Sequence, residues 1–171
     1  MARILLADDQ RDVLEALRIL LKSEGYLTEG VTSLTGIFNA LEKKEYSLLL
    51  MDLNYTRDTT SGQEGLAAIV KIQEIDPTLP IVVMTAWATI ELAVEAMKRG
   101  ARDFVTKPWD NQRLLTIVKT QIELAAMVGA RSYVSIGQWE LGKNRPAGPA
   151  RHQLAIALDV PVDVVHSWFA A

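Results

Sequence analysis

The chain has 171 residues, 49% of them hydrophobic, 21 acidic and 18 basic side chains, and no cysteine. This excludes wholesale disorder, disulfides and thiolate zinc sites, and leaves room for one full domain with a small appendage. No apolar stretch is long enough to span a bilayer and no signal-peptide layout opens the chain, so a cytoplasmic protein without a membrane partner is expected.

Short apolar runs alternate with helical patterns five times along the chain. Strands are expected near Arg3–Ala7, Leu27–Val31, Ser47–Asp52, Ile81–Thr85 and Asp103–Thr106, and helices near Gln10–Lys22, Leu34–Lys44, Gln63–Ile75, Thr89–Arg99 and from Asp110 onward. In the first helix Val13, Leu14, Leu17, Leu20 and Leu21 recur at three- and four-residue steps, which buries one face. Nearly continuous apolar strands between amphipathic helices indicate a parallel sheet covered on both sides. Gly25, Gly100 and Asp76-Pro77 fall where such connections end their helices.

Each of four apolar runs ends on chemistry: Asp8-Asp9, Asp52, Thr85 and Lys107-Pro108. If these runs are parallel strands, the polar groups converge on one sheet edge, where open α/β folds place ligands. Three carboxylates, a hydroxyl and an ammonium there suit a divalent cation and a phosphoryl group.

Asp8, Asp9, Asp52, Thr85-Ala86, Lys107-Pro108 and Phe104 together resemble a response-regulator receiver domain over residues 1 to 119. The stretch from Met84 to Trp87 and from Ala93 to Phe104 is similar to receivers of the nitrogen-regulation, enhancer-binding type. The resemblance implies a five-stranded, doubly wound, flavodoxin-like domain that accepts a phosphoryl group from a histidine kinase with Mg2+. A hard cation needs oxygen ligands, and the assignment is Asp9 and Asp52 as direct ligands, Asp8 through water, and the backbone carbonyl of Asn54. Asp52 is then the nucleophile and Lys107 a neutralising charge, aimed inward by a cis Lys107–Pro108 bond as the family implies. Crowded carboxylates are expected to raise one another's pKa. Thr85 and Phe104 are the expected switch: the hydroxyl swings to the phosphate and the aromatic ring turns into the vacated space.

Receivers of this family place a glycine closer to the phosphorylated aspartate. Here the counterpart is Gly65, with a longer polar stretch from Tyr55 to Gly62 before it. Arg57 in that stretch is expected to slow hydrolysis of the phosphate.

Residues 120–171 carry four basic and four acidic groups, too balanced for charge alone to announce nucleic acid. Their pattern, from Thr120 through Ile136, Trp139-Glu140-Leu141-Gly142 and Pro146 to Leu158, is similar to a lambda-repressor/Cro-like (XRE) helix-turn-helix. That resemblance implies a small all-α appendage in which Gln121, at the start of a second helix, bonds a DNA phosphate. It further implies that Arg131, Ser132, Tyr133 and Gln138 face the major groove from a recognition helix over 132–141, with Lys143, Asn144 and Arg145 beside the backbone. The family's first helix has no segment of its own, so the fifth receiver helix shares or continues into this unit. No glycine-rich phosphate loop follows the receiver, and the abrupt change of pattern suggests a fusion.

The expected protein is a non-enzymatic, phosphorylation-controlled response regulator that binds DNA as a homodimer. Its alternative is a phosphoacceptor module whose helical tail only stabilises or dimerises it. A phosphatase of the aspartate-nucleophile kind is disfavoured, because Asn54 stands where a second carboxylate would supply the general acid.

Overall fold

The computed structural model describes residues 1–54, 62–85 and 90–127. Five strands and five helices alternate: β1 (Arg3–Ala7), α1 (Arg11–Ser23), β2 (Leu27–Val31), α2 (Leu34–Lys43), β3 (Leu48–Asp52), α3 (Gln63–Ile75), β4 (Ile81–Thr85), α4 (Ile90–Lys98), β5 (Asp103–Thr106) and α5 (Asn111–Met127). The strands form one parallel sheet in the order β2-β1-β3-β4-β5, the doubly wound, flavodoxin-like topology. No helix among the described residues is long and apolar enough to cross a membrane.

The alternation of side chains along each strand divides the core in two. Leu5, Leu49, Met51, Ile81 and Val83 pack with Ile37 of α2, Leu66, Ile69 and Ile72 of α3, and Ala96 of α4. Ile4, Leu6, Leu48, Leu50, Val82 and Met84 face the other way, against Leu17 and Leu21 of α1 and Leu114 and Val118 of α5. β1, β3 and β4 are buried on both faces, which is why their sequences are unbroken apolar runs.

α2 starts at Leu34 as expected, with the Ser33 side chain accepting the Gly36 N–H. α5 starts one residue inside its expected bound, and there the Asp110 carboxylate accepts the Arg113 N–H at 2.8 Å. Asp110 therefore stands just outside α5 as its cap. Ser47, expected within β3, precedes it and accepts the Arg3 N–H through its hydroxyl.

α3 is seated on the end of β3 through Gly65. A β-carbon there would lie 2.8 Å from Leu53 Cα and 2.9 Å from its carbonyl carbon, closer than backbone tolerates. An exposed helical Gly→Ala change gains up to about 1 kcal/mol from helix propensity. At Gly65 the sign is expected to reverse, with Gly65→Ala destabilising by about 1–2 kcal/mol because the clash costs more than the propensity gains. Urea unfolding checks this, and a stabilised variant would show that α3 does not need this approach.

Candidate functional site

Parallel register brings the strand ends level. Ala7 pairs with Val31 and Met51, Asp52 with Met84, and Thr85 with Thr106. Asp8 and Lys107 each follow a strand directly, so the carboxyl edge gathers Asp8, Asp9, Asp52, Thr85 and Lys107. The backbone at these ends stays tied into the sheet: the Asp8 N–H donates to Val31 O, Leu53 N–H to Met84 O, and Lys107 N–H to Thr85 O.

Asp8 is fully buried and Asp52 is 4% exposed. The Asp8 carboxylate accepts the Gln10 N–H through Oδ1 at 2.9 Å, and Asp52 Oδ1 accepts the Asn54 N–H at 3.2 Å. Each aspartate thereby folds the chain into a short turn that fixes its own rotamer. The remaining oxygens, Asp8 Oδ2 and Asp52 Oδ2, both accept from the Lys107 ammonium, at 2.5 and 3.0 Å. The Lys107–Pro108 peptide is cis, as the resemblance implied. Asp9 is half-buried beside them, and one carboxylate oxygen from each of Asp8, Asp9 and Asp52 lies within 4.8 Å of the others.

Burial pushes the Asp52 carboxyl up from its usual pKa, against the lowering by the Lys107 charge and hydrogen bond. The expected repulsion between carboxylates is present at Asp52 only as the least of the named causes, through Asp8. Burial alone would lower the Lys107 ammonium, but the bond to Asp8 and the charge of Asp52 outweigh it and raise its pKa. Lys107 is therefore a fixed positive charge.

The residues fit a hard divalent cation. All the donors are oxygens, and three carboxylates facing one ammonium leave the cluster two positive charges short of neutrality. That deficit suits Mg2+ or Ca2+ better than a soft metal. Asp9 shares no described hydrogen bond with Lys107, so its oxygens are the least committed of the three.

Thr85 ends β4 fully buried, and its hydroxyl oxygen has no hydrogen-bond partner among the described residues. A buried hydroxyl is costly to leave without a partner. Phe104 is half-buried and packs on the α2–α3–α4 side of the core, between its sheet position and solvent. Asn54 adds something the sequence reading missed. Its backbone carbonyl was the expected ligand, yet its side-chain Oδ1 is also buried next to Asp52, without a partner among the described residues. Sequence alone carries no signal for this, since it depends on the turn that the Asn54 N–H makes with Asp52.

Gln121 is not at a helix start. It lies inside α5, which runs unbroken from Asn111 to Met127. Its backbone N–H belongs to a continuing helix rather than to a free N-terminal turn, so the helix-terminus phosphate contact expected for it does not exist there. Arg57, Ala86, Trp87, Arg131, Ser132, Tyr133, Gln138, Lys143, Asn144 and Arg145 lie outside the described residues.

The chain is 30% identical over 162 residues to the transcriptional regulatory protein ZraR of Salmonella typhimurium, covering 94% of this chain and 35% of that protein. It is 33% identical over 117 residues to the response regulator protein FleR of Pseudomonas aeruginosa, covering 68% of this chain and 24% of that one. The chain thus spans about a quarter to a third of the length of the curated relatives it matches. Among solved structures it is similar to the N-terminal signal receiver domain of a two-component response regulator from Bacteroides fragilis. There the TM-score is 0.63 at 35% identity, covering 70% of this chain and 95% of that one. Residues 4–119 match the family model for the response regulator receiver domain, and the chain belongs to that family.

Proposed function

We propose that Asp52 is the phosphoacceptor of a two-component pathway, taking its phosphoryl group from the phosphohistidine of a histidine kinase. The observation that carries this is the Lys107 ammonium bridging Asp8 and Asp52 within the three-carboxylate cluster. A carboxylate oxygen of Asp52 attacks phosphorus, the new O–P bond forms as the P–N bond breaks, and the imidazole leaves with the bonding pair. Phosphoryl transfer asks little of a protein beyond alignment and charge neutralisation. The Asn54 N–H holds one Asp52 oxygen, which sets the orientation of the other. Lys107, at Asp52 Oδ2, would neutralise a phosphoryl oxygen, and the Thr85 hydroxyl, without a partner among the described residues, would donate to one. That donation would draw Thr85 toward the phosphate and release space for Phe104. Mg2+, held by Asp9 and Asp52 with Asp8 behind them and the Asn54 carbonyl as a further oxygen, would supply the remaining positive charge when bound.

Mg2+ is expected to raise the midpoint of thermal unfolding of the wild-type chain. Saturation at about a hundred times Kd corresponds to about 2.7 kcal/mol. Asp9→Ala should lose most of this shift while keeping its metal-free midpoint, since Asp9 is only half-buried. Equal Mg2+ shifts in the two proteins would remove Asp9 from the metal set.

For the output, we read residues 120–171 as an XRE-like DNA-binding segment continuing from the receiver, with a homodimer matching a two-fold operator. Support comes from the sequence pattern and from α5 passing position 119 without a break, as a shared helix requires. ZraR, similar over most of this chain, is by its name a transcriptional regulator. Duplex DNA should be bound with a strong salt dependence, and Arg145→Ala should weaken binding and reduce the salt slope by about one. Salt-insensitive or absent binding, measured by fluorescence anisotropy, would favour the other reading, a tail that stabilises or dimerises the receiver. The exposed Leu124 and Met127 near the end of α5 favour that second reading.

A further inference from the structure

Two residues beyond Lys107, the loop that joins β5 to α5 carries an indole to which the transfer reaction gives no role. The loop comprises residues 107–110. Its start is tied to the sheet by the Lys107 N–H, which donates to Thr85 O at 2.8 Å. Its end is tied to α5, where the Asp110 carboxylate accepts the Arg113 N–H at 2.8 Å and the Asp110 carbonyl accepts the Leu114 N–H at 3.0 Å. Between these ties Pro108 is exposed and has no N–H to donate. Trp109 is half-buried and packs against the α1–α5 half of the core. Its Nε1–H donates to Asn111 Oδ1 at 3.0 Å, so the polar edge of the indole is satisfied while its ring covers apolar surface.

We propose that Trp109 is a positioning residue for Lys107, its packed ring holding the loop so that the ammonium stays on Asp8 and Asp52 together. The proposal rests on Asp52 being the phosphoacceptor and Lys107 its neutralising charge. A lysine is a point charge on a flexible four-carbon stem, so the precision of its placement has to come from its surroundings. The Lys107 side chain is only 11% exposed, and the backbone at its root sets where the ammonium reaches. Asp8 and Asp52 follow or end different strands, and Lys107 bonds one oxygen of each. Of the four loop side chains, Trp109 alone is seated on the core. Without that ring the loop is free to shift between its two ends, and a misplacement of about 1 Å at a reacting group can cost about 10²-fold in rate.

The test is the initial rate at which acetyl phosphate with Mg2+ phosphorylates the full chain. It is read for Trp109→Ala, Trp109→Phe, Leu115→Ala, Lys107→Ala and the Lys107→Ala/Trp109→Ala double variant. Trp109→Ala should slow the reaction at least about fivefold. Trp109→Phe keeps a ring on the core while losing the bond to Asn111, and should stay within about twofold of wild type. Leu115→Ala removes a half-buried side chain from the same half of the core and should leave the rate unchanged, which separates placement of the ammonium from lost packing. With Lys107 already replaced, Trp109→Ala should change the rate by less than about twofold, because no ammonium is left to place. Trp109→Ala at the wild-type rate overturns the proposal, and so does Trp109→Phe as slow as Trp109→Ala. Equal slowing by Trp109→Ala with and without Lys107, or by Leu115→Ala, also overturns it, since the indole would then be structural. Should circular dichroism find Trp109→Ala unfolded, Trp109→Leu takes its place in the same comparison. A wild type that accepts no phosphoryl group removes the Asp52 reading and this proposal with it. A failed comparison among the variants leaves wild-type phosphorylation intact, so the two outcomes are distinguishable.

Discussion

Asp52→Asn is expected to abolish phosphorylation by acetyl phosphate while leaving the fold as stable as before, or more so. The amide keeps the shape of the carboxylate and an oxygen for the Asn54 N–H, but it cannot act as the nucleophile. The stability expectation follows from the raised pKa of Asp52, whose first cause is burial. A carboxyl whose folded pKa lies above its unfolded value favours the fold while it is protonated. That contribution fades as pH rises through the folded pKa. Near pH 7 the ionised Asp52 therefore works against folding relative to a neutral group. Intact-mass measurement should find one phosphoryl addition on wild type and none on the variant, with urea midpoints compared in EDTA. A phosphorylated Asp52→Asn chain would move the acceptor elsewhere, and a strongly destabilised one would mean that Asp52 is held by its ion pair rather than opposed by burial.

Lys107→Ala should act on both rate and stability. Removing one preorganised donor from a transition-state site slows reactions by about 10²–10³-fold, and a loss of that order is expected in the phosphorylation rate. Stability should fall as well, because the fully buried Asp8 loses the ammonium at 2.5 Å. Stripping one partner from a buried ion pair costs about 3–5 kcal/mol. Mg2+ should restore part of that loss, since a dication can replace the missing charge at the same carboxylates. Lys107→Ala with wild-type rate and wild-type stability in EDTA would mean that the ammonium neither neutralises the cluster nor serves the transfer.

The fold was legible because the sheet is parallel and covered on both faces. β1, β2, β4 and β5 fall at the bounds that their apolar runs indicated, and β3 differs by the single residue Ser47. Each run stops where a polar group must reach the carboxyl edge, so strand ends and candidate site residues are marked by the same positions. Helix starts were less sharp, since Gln10 and Asp110 read as helical but stand outside as flanking residues. Within the site, residue types were visible and their partners were not. Lys107 bridging both Asp8 and Asp52 depends on three chain segments meeting, and so does the burial that dominates the pKa of Asp52. The close approach of Gly65 is likewise tertiary, although the displaced glycine was noticeable in the motif. Gln121 misled because the pattern put a helix start at a position where α5 continues.

The most direct measurement identifies the residue that carries the phosphoryl group. Wild-type chain treated with acetyl phosphate and Mg2+ is reduced with borohydride, which converts an acyl phosphate at an aspartate to homoserine, and is then digested and sequenced by mass spectrometry. The modified peptide should contain Asp52, and no modification should form in EDTA. Modification at Asp8, at Asp9 or at a hydroxyl residue, or equal modification without Mg2+, would contradict the assignment.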